Sequence, residues 1–99
     1  MKAAFDNSSY VATAWKDEQL VGVGRAISDG LFYTAVFDVL VHPEYQRRGI
    51  GTKIMRAILT NFAGTSFLLT TTENTDKFYK RLGFRKARNA MVIKRSTAE

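Results

Sequence analysis

The sequence predicts one α+β domain over residues 1–99, with a mixed sheet in which an antiparallel N-terminal meander is followed by β-α-β-α-β. Three observations point there. A chain of 99 residues has room for one hydrophobic core and not for two. Residues 10–41 are filled by strand-type runs with turn clusters between them. From residue 49 onward the apolar residues take helical spacing, and strand and helix patterns then alternate.

The elements follow in order. Tyr10–Trp15 is rich in β-branched and aromatic residues, passes through the polar Lys16-Asp17-Glu18-Gln19 and resumes at Leu20–Ala26, the pattern of a β-hairpin. Ser28-Asp29-Gly30 is a turn cluster. Phe32–Val41 reads as a longer third strand, ended at His42-Pro43 because proline restricts the residue before it. Over Gly49–Phe62, the residues Ile50, Ile54, Met55, Ile58, Leu59 and Phe62 recur along one helical face, and Gly64 supplies the stop. Ser66–Thr72 reads as a buried strand. A short helix is expected over Thr75–Leu82, with Asn74 as its N-cap and Gly83 as its stop. Ala90–Lys94 is expected to close the sheet as a last strand.

Composition removes several functional classes. Hydrophobic residues at 45% and charged residues at 24% make a globular rather than disordered chain. With no cysteine there is no disulfide framework, no thiolate metal site and no acyl-cysteine intermediate. The longest apolar runs, such as Phe67-Leu68-Leu69, fall far short of the ~20 residues of a membrane span. Met1–Asp6 lacks the apolar stretch of a signal peptide, so a cytoplasmic location is the expectation. Charge is uneven: residues 1–45 hold three basic and six acidic groups, a net of −3, while residues 46–99 hold twelve basic and three acidic groups, a net of +9. An anionic partner on the C-terminal half is implied, and nucleic acid, anionic lipid or a phosphorylated cofactor would each satisfy that charge.

Pro43–Thr52 lies between the third strand and the strong helix. Two glycines and a short side chain at a helix start expose successive backbone N–H groups, and with the positive helix end they form an anion cradle beside Arg47 and Arg48. A Walker A loop does not fit, because Gly51 is followed by Thr52-Lys53 and preceded five positions earlier by Gln46. The dinucleotide fingerprint does not fit either, since it needs a third glycine where Ile54 stands. Read alone, Gly49 is equally a tight-turn residue.

Val39-Leu40-Val41-His42-Pro43-Glu44-Tyr45-Gln46-Arg47-Arg48-Gly49-Ile50-Gly51 closely resembles the acetyl-coenzyme A motif of the GNAT superfamily of N-acetyltransferases, whose core is Gln/Arg-x-x-Gly-x-Gly/Ala. Downstream, Asn74-Thr75-Asp76-Lys77-Phe78-Tyr79-Lys80-Arg81-Leu82-Gly83-Phe84 is similar to the superfamily's Asn…Tyr-x-x-x-Gly-Phe helix. The resemblance spans residues 10–95 and implies a GNAT-like mixed sheet. Its members usually begin with another strand and two helices that wall the acceptor site, and here Met1–Ser9 alone precedes the first hairpin. An intact donor half is therefore expected, with an acceptor half that is open or completed by a second subunit.

By the same resemblance, pyrophosphate would rest on the backbone N–H groups of Arg48, Gly49, Gly51 and Thr52, in one turn with Ile50 and with Gln46 and Arg47 alongside. Leu40 and Val41 would offer main-chain groups to the pantetheine arm. Asn74 and Phe78 would border that arm, Asn74 doubling as a helix cap. Lys80, Arg81 and Arg85 would reach the 3′-phosphate, or else be solvated charges. Tyr79 resembles the general acid: a phenol with a pKa near 10 can protonate a departing thiolate. Asp38 is the first candidate general base, with hydrogen bonding to a loop as its structural alternative, and Glu73 is the reserve. His42, the sole histidine, precedes proline at a strand end and reads as a turn residue without a second metal ligand.

The leading expectation is an acetyl-coenzyme A dependent N-acetyltransferase that moves the acetyl group to a primary amine by direct attack in a ternary complex. Expected partners are acetyl-coenzyme A, the amine and a second copy as a homodimer, with no metal, nucleic acid or membrane. Two alternatives stand beside it. One is a coenzyme A binding sensor without catalysis. The other is a small basic nucleic-acid binding module, weakened by the lack of alternating aromatic and basic residues on the strands.

Overall fold

A computed structural model of the chain describes residues 2–71 and 74–95. Asp17 takes φ 54°, a left-handed conformation aspartate tolerates, to close the turn between β1 (Tyr10–Lys16) and β2 (Gln19–Ser28). The next turn, into β3 (Tyr33–Val41), is organised by Asp29, whose Oδ1 accepts from the backbone N–H groups of Leu31, Phe32 and Tyr33 at 2.8, 2.8 and 3.1 Å. A 3₁₀ turn (Pro43–Tyr45) leads to α2 (Ile50–Asn61), which crosses over to β4 (Ser66–Leu68). The sheet order is β1-β2-β3-β4, antiparallel among the first three strands and parallel between β3 and β4. This is the mixed sheet the sequence predicts.

The core lies between this sheet and α2. Ile54, Met55 and Ile58 are buried on the helix and meet Ala12, Ala26 and Val36 of the strands. Helix and sheet approach closely because β2 presents glycine: a Cβ at Gly24 would lie 2.7 Å from Ile54 Cγ2, and one at Gly22 would lie 2.9 Å from Ile54 Cδ1. Thr34 is fully buried, and its hydroxyl is bonded to the hydroxyls of Ser28 and Thr65 at 2.9 and 2.7 Å. Gly64, with φ 97°, turns the chain after α2.

Several elements differ from the sequence reading. A short helix α1 (Lys2–Asp6) precedes the hairpin; five residues carry too little pattern to be recognised. β4 ends at Leu68 instead of running to Thr72. The ladder with β3 covers only Tyr33–Ala35, Leu69 to Thr71 leave the sheet, and Thr72 lies outside the described residues. The second short helix, α3 (Asp76–Arg81), has Thr75 as N-cap in place of Asn74, with no side-chain cap bond. Ala90–Lys94 is not a strand: Met91, Val92 and Ile93 are 97%, 70% and 99% exposed, and strand propensity without a paired neighbour does not make a ladder.

Candidate functional site

β3 is irregular at its centre. Arg25 pairs with Phe37 and Val23 with Leu40, so Gly24 alone faces both Asp38 and Val39, which is a β-bulge, and Asp38 takes φ 53°. The bulge is held from β2: Arg25 Nε donates to Asp38 Oδ2 at 2.7 Å, while the guanidinium lies 4.9 Å from the Phe37 ring centroid and 5.8 Å from that of Phe5 on α1. Beyond Ala35, β3 has no strand partner on its β4 side among the described residues.

A cavity of about 270 Å³ opens in this divergence. Val36, Phe37, Asp38 and Val39 form one wall, Leu69 and Thr70 the other, and Thr75 and Tyr79 close it from the α3 side. Asp38 and Tyr79, forty-one positions apart in the chain, thus face one space. The Tyr79 ring is held edge-on between Phe78 and Phe84, with centroids 4.9 and 5.8 Å away. Burial pushes its phenol above the ordinary tyrosine value of 10.0, so the hydroxyl keeps its proton at neutral pH. α3 is itself tied down through Asp76, which accepts from Thr71 Oγ1 at 2.7 Å and pairs with Lys86 at 3.3 Å. Those contacts hold the Asp76 carboxyl below its ordinary value.

The glycine loop sits at the other end of the open β3 edge. Gly49 is the N-cap of α2 with φ 82° and no side-chain cap bond, and Arg47 before it has φ 65°. A helix start leaves its first N–H groups without intrahelical partners, here those of Ile50, Gly51 and Thr52. Nothing lies within 4 Å of where a Gly49 Cβ would be, so the loop is open at that position. Gly51 has a second duty: a Cβ there would lie 3.4 Å from Phe78 Cζ, so the missing side chain also seats α3 on α2. The Ile50 side chain is turned to the core over Gly22, which leaves only its main chain for a ligand.

The remaining expected site residues divide. The His42 N–H donates to Val21 O on β2, so by pleat alternation Val41 and Val39 direct their main-chain groups to the open edge while Leu40 directs its own to β2. Leu40 therefore does not serve the edge, and Val39 does. Counting by twos from Val41 would have found it. Gln46 Nε2 donates to Val41 O at 3.1 Å, stapling the loop to the strand end. Arg48 lies over the Tyr45 ring at 5.2 Å. His42 Nδ1 accepts from the Glu44 N–H at 3.1 Å, the turn role expected of it. Asn74, Lys80, Arg81 and Arg85 are exposed. Glu73 lies outside the described residues.

The family model described as the acetyltransferase (GNAT) domain matches residues 7–86. The chain is 40% identical over 73 residues to the chloroplastic GCN5-related N-acetyltransferase 2 of Arabidopsis thaliana, covering 70% of this chain and 28% of that protein. It is 32% identical over 91 residues to an uncharacterized N-acetyltransferase of Gracilaria tenuistipitata, covering 85% of this chain and 50% of that one. The chain thus spans half or less of the length of these curated relatives. Among solved structures, a GNAT-family acetyltransferase from Streptococcus pneumoniae superposes with a TM-score of 0.82 at 31% identity, over 95% of this chain and 77% of that one. With a bulged third strand, an opened sheet edge and a glycine-led helix start all inside the matched span, the chain belongs to the GNAT family of acetyltransferase domains.

Proposed function

We propose that the chain binds acetyl-coenzyme A along the open edge of β3 and transfers its acetyl group to a primary amine by direct attack in a ternary complex. The observation that carries this is the cavity at the divergence of β3 and β4, which Tyr79 and Asp38 both line. Val36 to Val41 lead from that cavity toward the Gly49 loop, a run of roughly 17 Å at ~3.3 Å per residue, which suits an extended arm with a phosphate at one end. Both ends support the reading: N–H donors at a positive helix terminus suit pyrophosphate, and a cavity that offers a protonated phenol suits a thioester whose sulfur must leave.

The co-substrate supplies the activated acyl group. When the amine nitrogen bonds to the acyl carbon, the carbon–sulfur bond breaks and the electron pair leaves on sulfur. Tyr79 donates its hydroxyl proton to that thiolate, and burial keeps the proton in place until then. Asp38, aimed by Arg25, takes the proton the amine must lose. Without a cysteine in the chain, no acyl-cysteine route competes.

Two copies are also expected to associate. The sheet face away from α2 exposes Ile27, Phe37, Leu40 and Leu68 in adjacent register positions, an apolar surface of the kind monomers rarely leave open. Sedimentation showing only monomer at high micromolar concentration would remove this part of the reading. The function itself is tested by coenzyme A titration followed by acetylation of an amine panel spanning polyamines, arylalkylamines, amino acids, aminoglycosides and lysine peptides. Turnover on at least one amine is expected. Tight coenzyme A binding without turnover on any would leave a sensor.

A further inference from the structure

α3 carries the Tyr79 phenol, yet this helix cannot place itself. Its six residues are all partly or fully exposed, and a helix of that length is unstable on its own propensity. Its position is therefore set by what its side chains meet. Phe78 rests against the space left by Gly51, and Tyr79 lies edge-on to Phe84. Apolar packing of this kind holds the helix down but is weakly directional, so its slide and roll must be fixed by another contact.

Thr71 and Asp76 supply that contact. Thr71 Oγ1 donates to Asp76 Oδ1 at 2.7 Å, the short length of a hydroxyl bonded to an ionised carboxylate. Leu69 and Thr70, which directly precede Thr71, line one wall of the Tyr79 cavity. Asp76 opens α3, and Tyr79 follows three positions later on the same helix face. The bond thus fastens a wall of the cavity to the helix that brings the phenol. Lys86 also reaches Asp76, at 3.3 Å, but its side chain is 75% exposed and such a pair contributes little.

We propose that Asp76 is a positioning residue, which through Thr71 holds the Tyr79 phenol in place in the cavity. Its consequence for rate rests on the reading of Tyr79 as the proton donor. Asp76 acts on the helix and not on the ligand, since Thr75 and Tyr79 are the residues that close the cavity from α3.

Two readouts test this, one of them independent of turnover. In protein labelled at the tyrosine ring carbons, NMR follows the four phenols separately, and Tyr79 is identified by the resonance missing from Tyr79→Phe. Asp76→Ala should move the Tyr79 titration down toward 10.0, as water reaches a ring no longer held, while the other three phenols and the circular dichroism stay as in wild type. It should also lower kcat on the order of tenfold with coenzyme A affinity unchanged. Thr71→Val, of the same shape, tests the bond from its other end and should match both effects. Asp76→Asn should recover most of the rate, because its amide oxygen still accepts from Thr71, and Lys86→Met should move neither readout. In a Tyr79→Phe background, Asp76→Ala should cost nothing further in kcat. An unmoved Tyr79 titration in Asp76→Ala overturns the proposal, and so does a kcat loss as large in the Tyr79→Phe background as in wild type. A moved titration with kcat unchanged in both Asp76→Ala and Tyr79→Phe supports the positioning role and removes the proton-donor role from Tyr79.

Discussion

Gly22 and Gly24 lie beneath α2 with no room for a methyl group, whereas Gly49 stands at the start of the same helix with nothing within 4 Å of its missing Cβ. In β2 the residue is demanded by what packs on it. At Gly49 it is demanded by a φ of 82° and, in the reading above, by a ligand that needs the space. The dense half of the molecule is thus specified by contact, and the open half by what must enter. Substitutions in the first should read out as stability, and substitutions in the second as binding or rate.

The largest effect is expected from Gly24→Val. Its Cβ would start 2.7 Å from Ile54 Cγ2, and a branched side chain adds more. Overpacking of this kind costs about 3 kcal/mol, which for a domain of this size lowers Tm on the order of 10–20 °C. An unchanged melting temperature would mean that α2 does not seat on β2 as described.

Next comes Tyr79→Phe, which keeps the ring against Phe78 and Phe84 and removes only the hydroxyl proton. Coenzyme A affinity should hold while kcat falls on the order of 10²-fold. The pH profile sharpens the assignment. Because burial raises the phenol above 10.0, the wild-type rate should show no loss from Tyr79 deprotonation between pH 7 and 9. Full kcat in the variant, with chemistry rate-limiting, would return Tyr79 to the core.

Gly49→Val is expected to weaken coenzyme A binding at least tenfold, about 1.4 kcal/mol, in a protein that still folds. Part of any change is backbone strain, about 1–2 kcal/mol for a side chain at positive φ. Gly30→Val is the matched control: φ is 76°, the space is likewise open, and the position is far from the loop in sequence. Equal affinity loss in both variants would make Gly49 a turn residue only.

The smallest effect is acid sensitivity at Asp29. Three backbone N–H groups lower its carboxyl below 3.8, so its stabilising contribution is present above that value and is lost as pH falls through the lower folded value. Wild type should lose more stability than Asp29→Asn as pH is lowered from 5 to about 2.5 in thermal melts. Parallel loss in the two proteins would remove the Asp29 turn from the account.

Local signals carried the sequence reading far where an element is defined by its own residues. The α2 periodicity, the Gly49 loop and the Tyr79 helix all lie within short windows, so each was legible. The closing strand was not, because Met91-Val92-Ile93 has strand composition, yet a strand exists only when an edge is there to pair with it. That Val39 and not Leu40 turns its main chain to the open edge has a related reason: which groups face that edge depends on how β3 pairs with β2, which the His42 N–H to Val21 O bond fixes.

The sequence by itself determined the run of elements from the first hairpin to the Tyr79 helix, the glycine-led start of α2 and the side chains available at Tyr79 and Asp38, because these rest on residue type and on spacing within one or two turns. Only the tertiary structure decided that Asp38 is held by Arg25, that Gly51 seats Phe78 and that β3 and β4 part after three residue pairs. Each of those depends on residues many positions apart meeting at contact distance. Packing sets such distances, and no local pattern encodes them.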